Sequence, residues 1–423
     1  MFGPVVALLA LALVVRVVLV AGSAPLNPTG DALIYDEHAL SIADQGRYPP
    51  SNLAPAGGPA AFRPPAYPYL LGAVYKVAGT GDQSQRVTAG RLLGVALGVI
   101  TVALLAIIAA LLWGRTAALS VMGVAAIYPP LAAVGSSLLS EALFTPLVLA
   151  AVVCALVYRR SPGNYRWAVL VGALAGLAVL TRTNGLVVVP ALLLAVWVGQ
   201  GRVRWKAAAA VLASCVLVVA PWILRNFAAF DEPILTSQTG YTLAGTYNDQ
   251  SRNDAENPGA WRPSLGAPYG SLVRRRDLDE AEIDRRLRSL AVEYALDHPR
   301  YVGTVVVHNG LRMLEVEGRM REYVGAREIG VGHGISDAGR YAFWIAIALA
   351  TTALVLVPKS RRAPFFVWMV PVLLIASLLP VNTSARYREP ADPFVLLLAG
   401  LALAAVTVRL PRRRPKLAPP SDA

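Results

Sequence analysis

The sequence predicts an all-α integral membrane protein, a bundle of about ten transmembrane helices with surface helices in its outer loops. Three observations carry that expectation. Hydrophobic residues make up 56% of the 423 residues and charged residues only 15%, where a soluble chain carries about 25% charged; mean hydropathy is +0.52. Apolar runs near the ~20 residues needed to cross a bilayer recur along the chain. Lys and Arg gather in short connectors between alternate runs. The net charge of +13 therefore faces anionic headgroups rather than a duplex, and nucleic acid is excluded as a partner.

The runs fall at about 4–22, 91–113, 116–134, 138–158, 166–181, 184–200, 206–224, 340–357, 364–380 and 393–409. Ala21-Gly22-Ser23-Ala24 resembles a signal-peptide cleavage site, but no basic residue precedes the first run and Arg16 interrupts it, so the run is expected to stay as a span. Arg16 and Arg91 are expected to snorkel to the outer interface. Tight turns are expected at Tyr128-Pro129-Pro130 and Arg182-Thr183-Asn184-Gly185. Counted from a cytoplasmic N-terminus, Arg115, Arg159/Arg160, Arg202/Arg204/Lys206, Lys359/Arg361/Arg362 and the C-terminal cluster all land on one side. By the positive-inside bias that side is the cytoplasm, with both termini on it.

One polytopic domain over 1–409 follows, with a basic, Pro-rich tail at 410–423 expected to be disordered. The opposite side receives segments 23–90 and 225–339 and the short loop 381–392. In the first, Ala32–Gln45 reads as a helix with Asp31 as candidate N-cap, and Ala66–Ala78 as an amphipathic second, both expected at the membrane surface. In the second, Asp279-Glu280-Ala281-Glu282 has capping-box spacing ahead of Ile283, Leu287, Leu290, Ala291 and Tyr294. That helix should stop at His298-Pro299, before another periodic stretch at 301–316. Cys154 and Cys215 sit within apolar runs and read as small packed residues.

The informative residues are outer-side charges that topology does not require, because charge in or beside a span is costly. They are Asp31, Asp36, Glu37, Arg63, Glu141, Arg182, Arg225, Arg386 and Arg388. The arginines run against the positive-inside bias. Their planar forks suit phosphate, so the set points to an anionic, membrane-embedded ligand with a carboxylate left for base chemistry.

Gly30-Asp31-Ala32-Leu33-Ile34-Tyr35, Ala39, Gly46-Arg47-Tyr48 and Phe62-Arg63-Pro64-Pro65-Ala66-Tyr67-Pro68 resemble the first outer loop of the GT-C membrane glycosyltransferases. Further matches run in the same order: Tyr128-Pro129-Pro130, Leu139-Ser140-Glu141-Ala142-Leu143-Phe144, Leu180-Thr181-Arg182, Pro221-Trp222-Ile223-Leu224-Arg225-Asn226 and Arg386-Tyr387-Arg388-Glu389-Pro390. Each string alone is weak; their joint order and topology are specific. The resemblance spans nearly the whole chain and is nearest the branch of protein O-mannosyltransferases, aminoarabinose transferases and lipopolysaccharide galacturonosyltransferases.

The resemblance implies transfer of a sugar from a polyprenyl-phosphate donor to an envelope glycan, lipid or protein acceptor on the outer face of the cytoplasmic membrane, with inversion. Asp31 stands where such enzymes carry their base, with a plain N-cap as its structural alternative. Asp36 and Glu37 are candidate second acids, or a solvated helix face. Glu141 is a further carboxylate near the acceptor, or the ion partner of a neighbouring helix's arginine. Arg388, Arg386 and Arg225, then Arg63 and Arg182, are expected on the donor phosphate. Tyr35, Tyr67 and Tyr387 are candidates to stack on sugar or lipid, or interfacial anchors like Trp222. His38, His298, His308 and His333 are scattered, so no metal is predicted, although some relatives use a divalent cation. A transporter or flippase would have a similar number of spans, but such proteins show repeats and midplane helix breaks that this sequence lacks. A noncatalytic envelope-assembly protein is the other alternative.

Overall fold

A computed structural model of the chain describes residues 3–23, 26–79, 81–199, 202–263, 265–319, 330–381 and 384–409; the expected basic tail lies outside them. Ten helices lead to the large outer loop: α1 (Gly3–Gly22), α2 (Gly30–Gln45), α3 (Ala66–Ala78), α4 (Gln83–Trp113), α5 (Arg115–Ile127), α6 (Pro129–Gly135), α7 (Glu141–Arg160), α8 (Tyr165–Thr181), α9 (Val188–Trp197) and α10 (Trp205–Phe230). The loop holds α11 (Thr239–Thr246), α12 (Asp249–Arg252), α13 (Tyr269–Leu272), α14 (Glu280–Asp297) and α15 (Pro299–Met313). Then come α16 (His333–Leu356), α17 (Phe365–Leu378), α18 (Ala385–Arg388) and α19 (Asp392–Arg409). The strand content among the described residues is one antiparallel pairing of Val198–Gly199 with Arg202–Val203.

Every expected apolar run falls on a helix, but the helices differ in length. Among the described residues, six segments are long and apolar enough to cross a bilayer: α1, α4, α7, α10, α16 and Ala385–Thr407. A seventh forms if α5 and α6 count as one span bent by 60°. The segments Tyr165–Thr181, Thr183–Trp197 and Phe365–Leu378 are apolar but shorter. The protein is thus a multi-pass membrane bundle.

The expected turn at Tyr128 is this bend. Pro129 and Pro130 lack the N–H groups that would continue α5, and the residue before a proline is pushed toward extended backbone, as Tyr128 is at φ −70°, ψ 113°. The reversal before α7 comes later, at residues 136–140. There the hydroxyls of Ser136 and Ser137 donate back to the carbonyls of Ala133 (2.7 Å) and Val134 (2.8 Å).

Helices in lipid gain little from apolar burial against one another, so close packing by small residues decides where they touch. At the crossing of α4 and α6, a Cβ on Gly94 would lie 2.3 Å from the carbonyl oxygen of Gly135; the backbones meet there with no room for a side chain. Gly98 makes room of another kind. Arg16 does not snorkel but is fully buried, its Nη1 donating to the carbonyls of Ala12 (3.0 Å) and Ala126 (3.2 Å). It lies against Gly98, where a Cβ would come within 2.5 Å of its Nε. Arg91 is also buried, with Nε donating to the Ser136 carbonyl at 2.7 Å.

The two ends of the bundle differ in chemistry. Glu141 opens α7 and Arg159-Arg160 close it, about 30 Å apart at 1.5 Å per residue. At the basic end, Arg159 donates to the carbonyls of Ala195 (2.9 Å) and Val198 (2.6 Å), and Arg204 lies over the Tyr158 ring. The connectors read as cytoplasmic thus meet at one end.

At the other end the outer segments form a cap. α2 starts earlier than expected, and its N-cap is Thr29, not Asp31, which lies in the first turn. α3 has the expected bounds and buries Tyr67, Leu71 and Tyr75. In α14 the capping expectation holds: Asp279 accepts from the Glu282 amide at 2.8 Å, a contact worth about 1 kcal/mol. The helix stops at His298, whose successor Pro299 begins α15.

Candidate active site

The segment 60–63 is fixed at four points. Arg225 donates to the Ala60 carbonyl at 2.7 Å, and the Ser237 amide to the Ala61 carbonyl at 3.2 Å. The Ala61 amide donates to Glu280 at 2.7 Å, and the Tyr48 hydroxyl to the Arg63 carbonyl at 2.6 Å. Glu280, 3% exposed, also accepts from the hydroxyls of Ser51 and Ser237. Three donors satisfy this buried carboxylate, which joins the two outer segments. A strap held this firmly presents the Arg63 side chain in one place.

Arg63 forms an ion pair with Asp31. On the other side of Asp31 the Arg386 Nη2 approaches Oδ2 at 2.7 Å, while Arg386 Nε reaches Glu141 at 2.8 Å. Glu141, fully buried at the start of α7, also pairs with Arg182 at 2.9 Å. Three guanidiniums therefore surround two carboxylates, leaving one positive charge in excess. Burial by itself pushes the Asp31 carboxyl up, but Arg63, then Arg386 and Arg182, outweigh it and hold the group well below the usual carboxylate range. Asp31 is ionised at neutral pH and is 23% exposed, open to the space beside it.

That space is a cavity of about 910 Å³. Asp31, Tyr35, Arg63, Arg182, Arg386 and Tyr387 line its inner part, and Phe62, Tyr241, Asn257, Trp261 and Arg312 its outer part. Tyr387 lies under the guanidiniums of Arg386 (5.2 Å) and Arg182 (5.6 Å). Tyr35 donates to the Ser140 hydroxyl at 2.9 Å and meets Tyr67 edge-on at 5.0 Å.

Other candidates stand elsewhere. Arg388 does not line the cavity: it is 4% exposed, with Asp392 and Glu315 on its guanidinium at 2.8 and 2.9 Å. Asp392 in turn accepts from the Tyr128 hydroxyl at 2.9 Å, so this pair ties α19 to the helix break. Arg225 stacks on Trp222 at 5.0 Å and serves the strap. Trp222 is buried, its indole donating to the Leu235 carbonyl at 2.8 Å, and is not an interfacial anchor. Tyr67 is buried behind Tyr35. Asp36 is no solvated helix position: it is 2% exposed and pairs with Arg86 at 3.0 Å while accepting from Tyr75 at 2.8 Å. Glu37, by contrast, is exposed. His38 is buried edge-on to Tyr48; burial pushes its imidazole down to about 4, so it is neutral.

Sequence reasoning missed Glu280, Tyr241 and Trp261. Glu280 was visible only as a capping-box neighbour of Asp279. Tyr241 and Trp261 lie in a loop with no periodicity to place them.

The fold and the charged pocket at one of its ends define the class: this is a multi-pass helical membrane bundle. Residues 62–224 match the family model described as dolichyl-phosphate-mannose-protein mannosyltransferase, less than half of the chain. The chain shares its fold with an Archaeoglobus fulgidus oligosaccharyltransferase solved with Zn and sulfate, at 14% identity and TM-score 0.56 over 95% of this chain and 49% of that one. The oligosaccharyltransferase AglB from the same organism, solved with an inhibitory peptide and a dolichol-phosphate, gives 14% identity and TM-score 0.53 over 95% and 50%. ArnT from Cupriavidus metallidurans, bound to undecaprenyl phosphate, matches at 16% identity and TM-score 0.44 over 96% and 78%. The chain thus spans about half the length of the oligosaccharyltransferases it resembles. No curated protein sequence matches it.

Proposed function

We propose that the protein is a membrane glycosyltransferase that moves a sugar from a polyprenyl-phosphate donor to an envelope acceptor hydroxyl, on the outer face of the cytoplasmic membrane. The observation that carries this reading is the cluster of Arg63, Arg182 and Arg386 around Asp31 and Glu141. Its single excess positive charge suits the one negative charge of a sugar phosphodiester. The match of residues 62–224 to a lipid-phosphate-sugar transferase family supports the same reading.

In the reaction, Asp31 takes the proton of the acceptor hydroxyl as that oxygen attacks the anomeric carbon. The bond from that carbon to the phosphate oxygen breaks, and its electron pair leaves with the phosphate. Negative charge then grows on the leaving group, where guanidinium donors stabilise it. Donor binding draws Arg63 and Arg386 toward the phosphate, which loosens their hold on Asp31 and raises its basicity at the moment it is needed. Glu141 positions Arg386 and Arg182, while Arg388 and Arg225 act through the scaffold. Tyr387 offers a ring beside the donor sugar.

Arg386 lies between the carboxylates of Asp31 and Glu141, and among the described residues no group of three or more His, Cys, Asp or Glu could hold a metal ion.

Purified protein assayed with radiolabelled polyprenyl-phosphate sugars and an envelope extract tests the proposal. We expect transfer by the native chain and a loss of about 10²- to 10⁴-fold in Asp31→Asn. No transfer from any donor sinks the function; undiminished transfer in Asp31→Asn sinks the base.

A further inference from the structure

We infer that the outer wall of the cavity, Phe62, Tyr241 and Trp261, is a subsite for a sugar ring of the acceptor, so that the acceptor is a glycan. This rests on the transferase reading and adds the class of its second substrate.

The three rings stand in a row, Phe62 edge-on to Tyr241 and Tyr241 tilted by 57° to Trp261. Phe62 lies under the Arg63 guanidinium at 4.8 Å, meets Tyr241 at 6.0 Å, and Tyr241 meets Trp261 at 6.0 Å. The row begins at Phe62, beside the Arg63 that pairs with Asp31, and ends at Trp261 in the large loop. Its parts are held in place. The Tyr241 hydroxyl donates to the Pro263 carbonyl at 2.8 Å, and the Arg262 amide to the Gly245 carbonyl at 2.8 Å. Gly245 lets the indole lie on α11, since a Cβ there would fall 2.2 Å from Trp261 Nε1.

The chemistry of the wall selects the occupant. The half-buried rings of Tyr241 and Trp261, backed by the buried Phe62 and flanked by amide side chains such as Asn257 and Gln238 on the same cavity, match a pyranose with its C–H face and its hydroxyl rim. A prenyl chain requires apolar surface continuous with lipid, whereas this wall belongs to the outer loop.

The test uses the full chain in detergent, titrated without donor against short oligosaccharides released from the cell envelope and, in parallel, against a serine-containing peptide. We expect saturable saccharide binding with a change in tryptophan fluorescence. Trp261→Ala should weaken it about tenfold, the loss of one stacked ring. Trp261→Phe keeps a ring: it should hold the affinity, read by calorimetry, and lose the fluorescence change. Absence of saccharide binding, preference for the peptide, or unchanged affinity in Trp261→Ala overturns the subsite. So does a loss in Trp261→Phe as large as in the alanine variant. Binding is read without turnover, and donor-dependent transfer is read in its own assay, so failure of the subsite and failure of the transferase reading are told apart.

Discussion

Arg386 and Arg388 stand two residues apart on a four-residue helix, a spacing that turns side chains toward different neighbours. Arg386, on the cavity wall, reaches Asp31 and the buried Glu141; Arg388 turns to Asp392 and Glu315. Substitution should separate them. Arg386→Ala should raise the KM for the lipid-phosphate donor with little change in thermal stability in detergent. Arg388→Ala strands two buried carboxylates and should cost about 3–5 kcal/mol of stability, read as a lowered melting temperature. Equal effects in both assays would count against this division. Sequence reasoning found the arginine cluster because its members break the positive-inside bias; it singled out Asp31 as an outer-side charge that topology does not require, and took its base role from the resemblance. It could not divide Arg386 from Arg388, since which way a residue turns on a short helix depends on distant partners such as Glu315 and Asp31, 73 and 355 positions away. Asp31 also has a pH signature. Its carboxyl is depressed, so its contribution to stability is present above the unfolded pKa of about 3.9 and is lost as pH falls through the lower folded value. The donor kcat/KM should therefore show no acid limb from Asp31 down to about pH 5.

At the level of elements, α14 joins a legible feature to an illegible one. Its start was readable from the Asp279 cap and its end from His298-Pro299. The role of Glu280 was not, because its donors Ser51, Ala61 and Ser237 lie on other segments. Glu280→Ala should free the strap: limited proteolysis between 51 and 62 should quicken, and transfer should fall although the residue touches no substrate. One turn along, Asp284 is buried where it accepts from the Gly240 amide, and burial pushes its carboxyl up to about 6 against the pull of Arg288. A raised carboxyl stabilises the fold below its unfolded pKa of about 3.9, and that stability is lost as pH rises through about 6. Asp284→Asn keeps an acceptor for Gly240 without the charge. It should raise stability at pH 8 by about 1–3 kcal/mol and leave it little changed near pH 4, measured by thermal melts at both values. Helix breaks divide in the same way. Prolines announced an interruption at Tyr128, but the 60° bend depends on α6 having room to cross α4 at Gly94.

Across the whole molecule, hydropathy and charge bias gave the bundle and the separation of its ends. Lengths were less legible: composition marks an apolar run but not whether its helix completes a crossing. The proposed orientation predicts that a membrane-impermeant maleimide on intact cells will label Glu256→Cys in the outer cap and spare Ser161→Cys beside Arg159-Arg160. The reverse result would invert the topology. Either position is exposed, and the native Cys154 and Cys215 are buried.

In the proposed reaction, the three guanidiniums and two carboxylates beside the cavity also bear on how the spent lipid would leave. With donor bound, one excess positive charge meets one phosphodiester charge. After transfer Asp31 holds the acceptor's proton, so the pocket carries two excess charges, and the released lipid monophosphate carries nearly two of its own at neutral pH. Sum charge stays balanced through the chemical step. The balance breaks only when Asp31 returns its proton to solvent, leaving the dianion one positive charge short. On the proposed mechanism, deprotonation of the base would thus act as an ejector, coupling recovery of the catalyst to departure of the carrier lipid.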